Sequence, residues 1–303
     1  MRALPLLLAI AACAVLPLAG AGAGAGAETA IGTPGPYGQP EGSEQTHYIP
    51  VVQEDGTQAL LLSRVCKPDT PGPSRVVVIA HGTPAGAVKR LRMQLTSCDN
   101  EAVRWFTARG DLVVMSMRRG YGGTGGPYME TSSPCTVQVY AHVARESARD
   151  VAATVAYALK LPEARPDGAI VVGKSAGGWA TLGLDSFPHP GVVALVSMAG
   201  GRGGQSEGRP NTNCHPENLA AAAGELGHTA STPMLWIYTE NDSYFSPPIA
   251  LAMHQAFTAS GGQADLHQLP SFDNNGHNLF FARGGSAIWG PLMDAYLRSR
   301  GAT

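Results

Sequence analysis

No Lys/Arg run of the kind that tracks phosphates occurs anywhere in the 303 residues, and the formal net charge is only −2. A nucleic-acid partner therefore has no electrostatic footing. Cys-x-x-Cys pairs and Cys/His clusters at zinc spacing are missing too, so no structural metal site is expected. Charged residues make up 15% of the chain against 44% apolar, which is enough to bury the core of one catalytic domain. No internal repeat divides that domain. Small neutral or weakly charged substrates suit such a composition.

Long hydrophobic runs are also scarce. The one at the start follows a short positive segment, Met1-Arg2, covers residues 3–18, and precedes Ala25-Gly26-Ala27, an A-x-A cleavage pattern. Residues 1–27 therefore read as a signal peptide, with the mature chain starting near Glu28 in a secreted or periplasmic setting. A membrane anchor is the alternative, but it needs roughly 20 apolar residues, so no stable membrane insertion is expected. Ile10-Ala11-Ala12-Cys13 has the look of a bacterial lipobox, yet the segment before it is very short and the apolar run continues through Val15, Leu16 and Leu18. Removing the signal peptide leaves Cys66, Cys98, Cys135 and Cys214, an even number suited to an oxidising compartment. Three pairings are open. Cys66 with Cys98 and Cys135 with Cys214 is the favoured one, because each pair lies at the ends or tips of segments flanking the sheet.

Residues 28–46 are rich in Gly, Pro and polar residues and read as a flexible leader. The folded domain is expected over 47–303. Residues 49–53 and 59–65 form two strand patterns around Asp55-Gly56, which predicts an antiparallel hairpin. From Ser74 onward, short apolar runs at 76–80, 112–117, 169–172, 192–198, 234–238 and 264–269 alternate with helical stretches at 100–108, 136–161, 176–184, 216–227, 248–260 and 288–298. Continuous apolar strands separated by helices predict an α/β fold with a doubly wound, mostly parallel sheet covered on both faces.

The chemistry is concentrated in Ile170-Val171-Val172-Gly173-Lys174-Ser175-Ala176-Gly177-Gly178-Trp179, a strand running through G-x-S-x-G into a helix. That context is what a nucleophile elbow requires, since a serine on so tight a turn needs small neighbours. A serine hydroxyl is a poor nucleophile without a base, and the base needs an orienting carboxylate; in this arrangement they follow in the order Ser, acid, His. Asp242 stands just past the strand at 234–238, with Glu240 as its competitor. His277 is delivered by the loop Asn274-Asn275-Gly276-His277 and is the expected base. His81, His254 and His267 read as bracing, packing or surface residues, and His215 and His228 have no acid partner. Val78-Ile79-Ala80-His81-Gly82-Thr83 is a strand and loop that can present a second oxyanion donor, so Thr83 and Ala176 are the expected N–H pair. Tyr121, Trp179, Tyr244 and Phe245 are candidate pocket walls, and the Gly- and Arg-rich segment 200–214 can fold over the pocket.

These residues resemble the α/β-hydrolase superfamily, and within it the dienelactone-hydrolase-like and prolyl-oligopeptidase-like branches. The resemblance spans about residues 74–298 and rests on His81-Gly82-Thr83-Pro84, Arg119-Gly120-Tyr121-Gly122, Gly173 to Gly177, Glu240-Asn241-Asp242 and Gly276-His277. It implies a sheet of about eight strands, acyl transfer through a covalent acyl-enzyme, and no cofactor. Dienelactone hydrolases proper use a cysteine nucleophile, whereas this elbow carries Ser175. The expected activity is hydrolysis of a small carboxylic ester, with a short peptide or amide as the alternative substrate. Exopeptidases of the similar branch carry an extra domain that filters substrates, and the roughly 45 residues before the sheet are too few for a propeller. A secreted binding protein that kept the fold and lost the chemistry is the rival of another class, and an intact Ser-His-Asp set argues against it.

Overall fold

A computed structural model describes residues 33–131 and 139–302, so the expected signal peptide lies outside the described residues. Nine strands form one sheet: β1 Gly35–Glu41, β2 Glu44–Val52, β3 Gln58–Cys66, β4 Ser74–Ala80, β5 Leu112–Ser116, β6 Ala164–Lys174, β7 Val192–Met198, β8 Met234–Thr239 and β9 Ala264–Leu269. Their spatial order is β1-β2-β3-β5-β4-β6-β7-β8-β9. The first three strands and β5 pair antiparallel, and every pairing from β5 across to β9 is parallel. The fold is therefore the expected doubly wound, mostly parallel α/β sheet, with one strand more than the resemblance implied.

The central strands are apolar on both faces because both faces are covered. Val76, Val78, Ala169 and Val171 join one core with α3 (Tyr140–Ala158), α4 (Ala176–Asp185), α5 (Pro216–Gly227) and α6 (Pro247–Ala259). Their alternates Val77, Ile79, Ile170 and Val172 join a second core with α2 (Glu101–Thr107) and α7 (Ser286–Ser299). From β4 the chain steps to β5 on one side and then crosses from β5 to β6 on the other side of β4. That places the topological switch, where open α/β sheets bind ligands, at the carboxyl ends of β4 and β6.

Three features depart from the sequence expectations. The flexible leader contains β1, which pairs with β2 in the register Pro36↔His47 and packs Tyr37 edge-on against Tyr48 with ring centroids 5.3 Å apart. Pro36 and Pro40 are tolerated because β1 is an edge strand, where a missing N–H faces no neighbour. β6 begins five residues early, through the Ser74↔Ala164 pairing, and is irregular until Ala169. The short helix α1 (Ala87–Leu91) left no apolar signature because it buries no residue.

Cys66 at the end of β3 is disulfide-bonded to Cys98, with Cα atoms 5.6 Å apart. Cys214 is also disulfide-bonded, and Cys135 lies outside the described residues. Among the described residues no helix is long and apolar enough to cross a membrane.

Candidate active site

β6 ends at Lys174, and Ser175 follows with φ 58° and ψ −121°, a backbone that residues with a Cβ rarely adopt. Such a conformation costs about 1–3 kcal/mol and persists only where the surroundings dictate it. Here the Ser175 N–H donates to Met198 O at 2.9 Å, and the Ser175 carbonyl accepts from the N–H groups of Trp179 and Gly201. The glycines on either side are required by space. A Cβ on Gly173 would lie 2.1 Å from the Gly177 carbonyl oxygen, and one on Gly177 would lie 2.1 Å from that of Ala80. Backbone cannot retreat from such contacts without moving β4 against α4. Gly177→Ala should therefore destabilise the fold by on the order of 3 kcal/mol, read as a lower denaturation midpoint in urea; an unchanged midpoint would show that the elbow is not packed this tightly.

The strand-to-helix turn aims the Ser175 hydroxyl at His277, whose Nε2 lies 3.0 Å from Oγ. The Nδ1 of the same ring is 3.0 Å from both carboxylate oxygens of Asp242, which is fully buried and also accepts from the N–H groups of Tyr244 at 2.7 Å and Phe245 at 3.0 Å. A carboxylate so placed can only accept, so Nδ1 carries the proton and Nε2 is left to accept from Ser175. Glu240, the competitor for the acid position, is exposed and accepts instead from the Ser271 hydroxyl. Burial pushes the His277 imidazole below its ordinary pKa; the Asp242 hydrogen bond opposes this, and the Lys174 charge adds to it.

Sequence reasoning missed the two asparagines that bind the acid loop to the histidine loop. Asn241 accepts from the N–H groups of Phe272 and Gly276 and donates to the carbonyls of Phe272 and Asp273. Asn275 accepts from the N–H groups of Ser243 and His277. A Cβ on Gly276 would meet Thr239 Oγ1 at 1.9 Å, so only glycine lets the two loops lie together. Their signal was present as Asn residues flanking both Asp242 and Gly276-His277. Tyr244 then stacks on His277 with centroids 4.2 Å apart.

Thr83 and Ala176 line the same cavity of about 330 Å³ as Ser175. Among the described residues neither backbone N–H has an acceptor, and that of Ala176 opens helix α4. The Thr83 loop is pinned from behind. Its hydroxyl meets Tyr121 Oη at 2.6 Å and accepts from Arg202 Nη1 at 2.8 Å, while Arg202 also binds buried Glu130 at 2.8 Å. Arg118 pairs with Glu130 from the other side and donates to the His81 carbonyl at 2.6 Å. Burial alone would raise the Glu130 carboxyl, but Arg118 and Arg202 hold it well below the usual carboxylate range. His81 is neutral, pulled down to about 3 by burial and by Arg118; its Nε2 accepts from the Arg118 N–H, so its ring braces the loop. Arg118, Glu130 and Arg202 went unread because only the folded chain brings three distant charges together.

The structure divides the expected pocket walls. Tyr244 and Phe245 line the cavity, as do Gly201 to Gln205 from the expected covering segment. Tyr121 and Trp179 do not. Tyr121 is fully buried behind Thr83, its hydroxyl donating to Glu130 at 2.6 Å. Trp179 lies in the core under α4 and donates its indole N–H to the Tyr140 carbonyl at 2.9 Å. An aromatic residue near the elbow is held by whichever polar partner its tip can reach, and here both partners lie inward.

No family model and no curated protein sequence matches this chain. Solved structures do. An acetyl xylan esterase from Thermoanaerobacterium is similar at 17% identity and TM-score 0.56, with 88% of this chain and 86% of that chain covered. An esterase from Pyrococcus furiosus is similar at 14% identity and TM-score 0.56, over 89% and 97% of the two chains. An acylaminoacyl peptidase from Pyrococcus horikoshii is similar at 15% identity and TM-score 0.58; 85% of this chain matches, spanning 42% of that one. At these identities the likeness shows the fold, which is that of the α/β-hydrolases.

Proposed function

We propose that this chain is an exported serine hydrolase that cleaves a small carboxylic ester, with Ser175 as nucleophile, His277 as general base, Asp242 as its orienting acid, and the N–H groups of Thr83 and Ala176 as the oxyanion hole. The observation that carries this reading is the unbroken hydrogen-bonded chain from Asp242 through His277 to a serine held at positive φ. Ser175 Oγ attacks the acyl carbon as Nε2 takes its proton, and the oxyanion that forms is stabilised by the two N–H groups. His277 returns the proton to the departing oxygen, and the alcohol leaves. Water, deprotonated by the same nitrogen, then attacks the acyl-enzyme and releases the acid.

One comparison supports ester over amide, and the cavity bears on the length of the acyl chain. The similar esterases match over nearly their whole chains, whereas the peptidase matches over less than half of its own. The cavity beside Ser175, of about 330 Å³, is walled by Tyr244, Phe245 and Pro84 as well as by Gly201 to Gln205, and its volume suits a short acyl chain better than a long one. Short p-nitrophenyl esters should therefore be turned over faster than long ones, and aminoacyl-p-nitroanilides slowly or not at all. Preference for the anilides would make the chain an amidase, and a folded protein inert to the whole panel would leave only a binding role.

The pH dependence has a definite sign. Only neutral imidazole accepts the Ser175 proton, so kcat/KM rises as pH rises through the pKa of free-enzyme His277. Burial lowers that pKa from 6.5, which moves the rising limb to the acid side of an ordinary histidine. Rate profiles from pH 4 to 8 on a neutral ester test this; an inflection above 6.5 would contradict it.

A further inference from the structure

Two cavities flank the Ser175–His277 pair and share Thr83, Pro84 and Tyr244 as walls, and the chemistry distinguishes them. The proton taken from Ser175 must be handed by His277 Nε2 to the departing atom, so the departing group has to lie beside His277. The cavity of about 330 Å³ is lined by Ser175 and Ala176 but not by His277. A second cavity, of about 520 Å³, is lined by His277 but not by Ser175. The first therefore takes the acyl group and the second the departing group.

The second cavity has a one-sided charge. Lys174 and Lys89 both line it, and among the described residues no Asp or Glu does. Lys174 stands at the end of β6, immediately before the nucleophile, with its stem running along Gly82, yet among the described residues its ammonium has no hydrogen bond and no ion pair. The one carboxylate whose charge it feels is Asp242, whose oxygens are taken by His277, Tyr244 and Phe245. A partly buried, unpartnered ammonium is costly to the free protein, and burial pulls this one down to about 8. A cost of that kind, retained beside the reacting atoms and opening into a cavity, is what an anion-binding group looks like before its ligand arrives.

Resting on the serine-hydrolase reading, we propose that the departing half of the substrate carries a carboxylate bound by Lys174, with Lys89 at the rim, so that the substrate is an ester whose alcohol portion is a hydroxy acid. The bond between the acyl carbon and the hydroxy-acid oxygen breaks as the Ser175 ester forms. His277 supplies the proton, and a free hydroxycarboxylate leaves past Lys89. Water then releases the acyl group as a second acid.

The test uses the full chain and two substrates of equal size, 3-acetoxybenzoate and 3-acetoxybenzamide, which differ in the charge of the departing phenol. The wild type should favour the carboxylate by at least about tenfold in kcat/KM at low salt, and the ratio should fall to about one in Lys174→Met and shrink with added salt. As a reading that needs no variant, 3-hydroxybenzoate should inhibit the wild type competitively with a Ki at least about tenfold below that of 3-hydroxybenzamide. Equal rates and equal Ki values, or turnover of p-nitrophenyl acetate with none of 3-acetoxybenzoate, would overturn the carboxylate site and leave the hydrolase standing. A protein that turns over none of these esters and is not labelled at Ser175 by a fluorophosphonate overturns both.

Discussion

Ser175→Ala should lower kcat on a short p-nitrophenyl ester by about 10⁶-fold and abolish labelling by a fluorophosphonate, which the folded wild type should take up once, at Ser175. The size of the effect follows from the geometry. One hydroxyl among the chain's many serines sits 3.0 Å from an imidazole nitrogen whose other nitrogen is already committed to a buried carboxylate. Removing that oxygen leaves only binding and the two oxyanion donors. Adding His277→Ala to Ser175→Ala should cost little more, because the two groups act as a unit. The folded state should tolerate Ser175→Ala well, since the strained turn is held by backbone hydrogen bonds of Ser175 and not by its hydroxyl. A wild type that is folded and unlabelled, or a Ser175→Ala protein that keeps its rate, would remove the assignment.

Asp242→Asn should lower kcat by about 10⁴-fold with little loss of folding. The amide can still accept from the N–H groups of Tyr244 and Phe245 at the position where Oδ1 does so now, so the loop survives. Its NH2 group, however, would face Nδ1 of His277 and donate to it. That moves the ring proton to Nε2, where it meets the Ser175 hydroxyl and leaves the serine without an acceptor. Glu240→Gln, by contrast, should stay within about twofold of wild type, because Glu240 is exposed and its carboxylate reaches Ser271 and not the imidazole. If Glu240→Gln proved the more damaging of the two, the acid would have been misassigned.

Much of this protein is local in origin and was legible for that reason. Five of the six parallel strands, β4 to β8, carry short β-branched or apolar runs buried on both faces, a pattern that needs no knowledge of partners, whereas β9 at the sheet edge buries none of its residues. G-x-S-x-G is partly local too: a Cβ on Gly173 would clash with the backbone of the elbow itself, while one on Gly177 would clash with Ala80 at the end of β4. Chain order then pointed to Asp242 and His277, and the loops after β8 and β9 bring both to Ser175. The strand β1 was illegible because its residues are edge residues chosen for what they do not pair with, and Gly and Pro in that role look like a linker.

What the amino-acid sequence determined by itself is thus the layer architecture, the turn that raises Ser175, and the residue types able to form a charge-relay chain with it. Tertiary structure alone decided which aromatics line the cavity beside Ser175, that Arg118, Glu130 and Arg202 close behind the Thr83 loop, and that Lys174 has no partner among the described residues. The reason is physical. Hydrophobic periodicity and steric turns act over a few residues and are written in consecutive positions. The fate of a polar tip or a charge depends on which other groups, tens of residues away, the fold happens to bring within 3 Å of it.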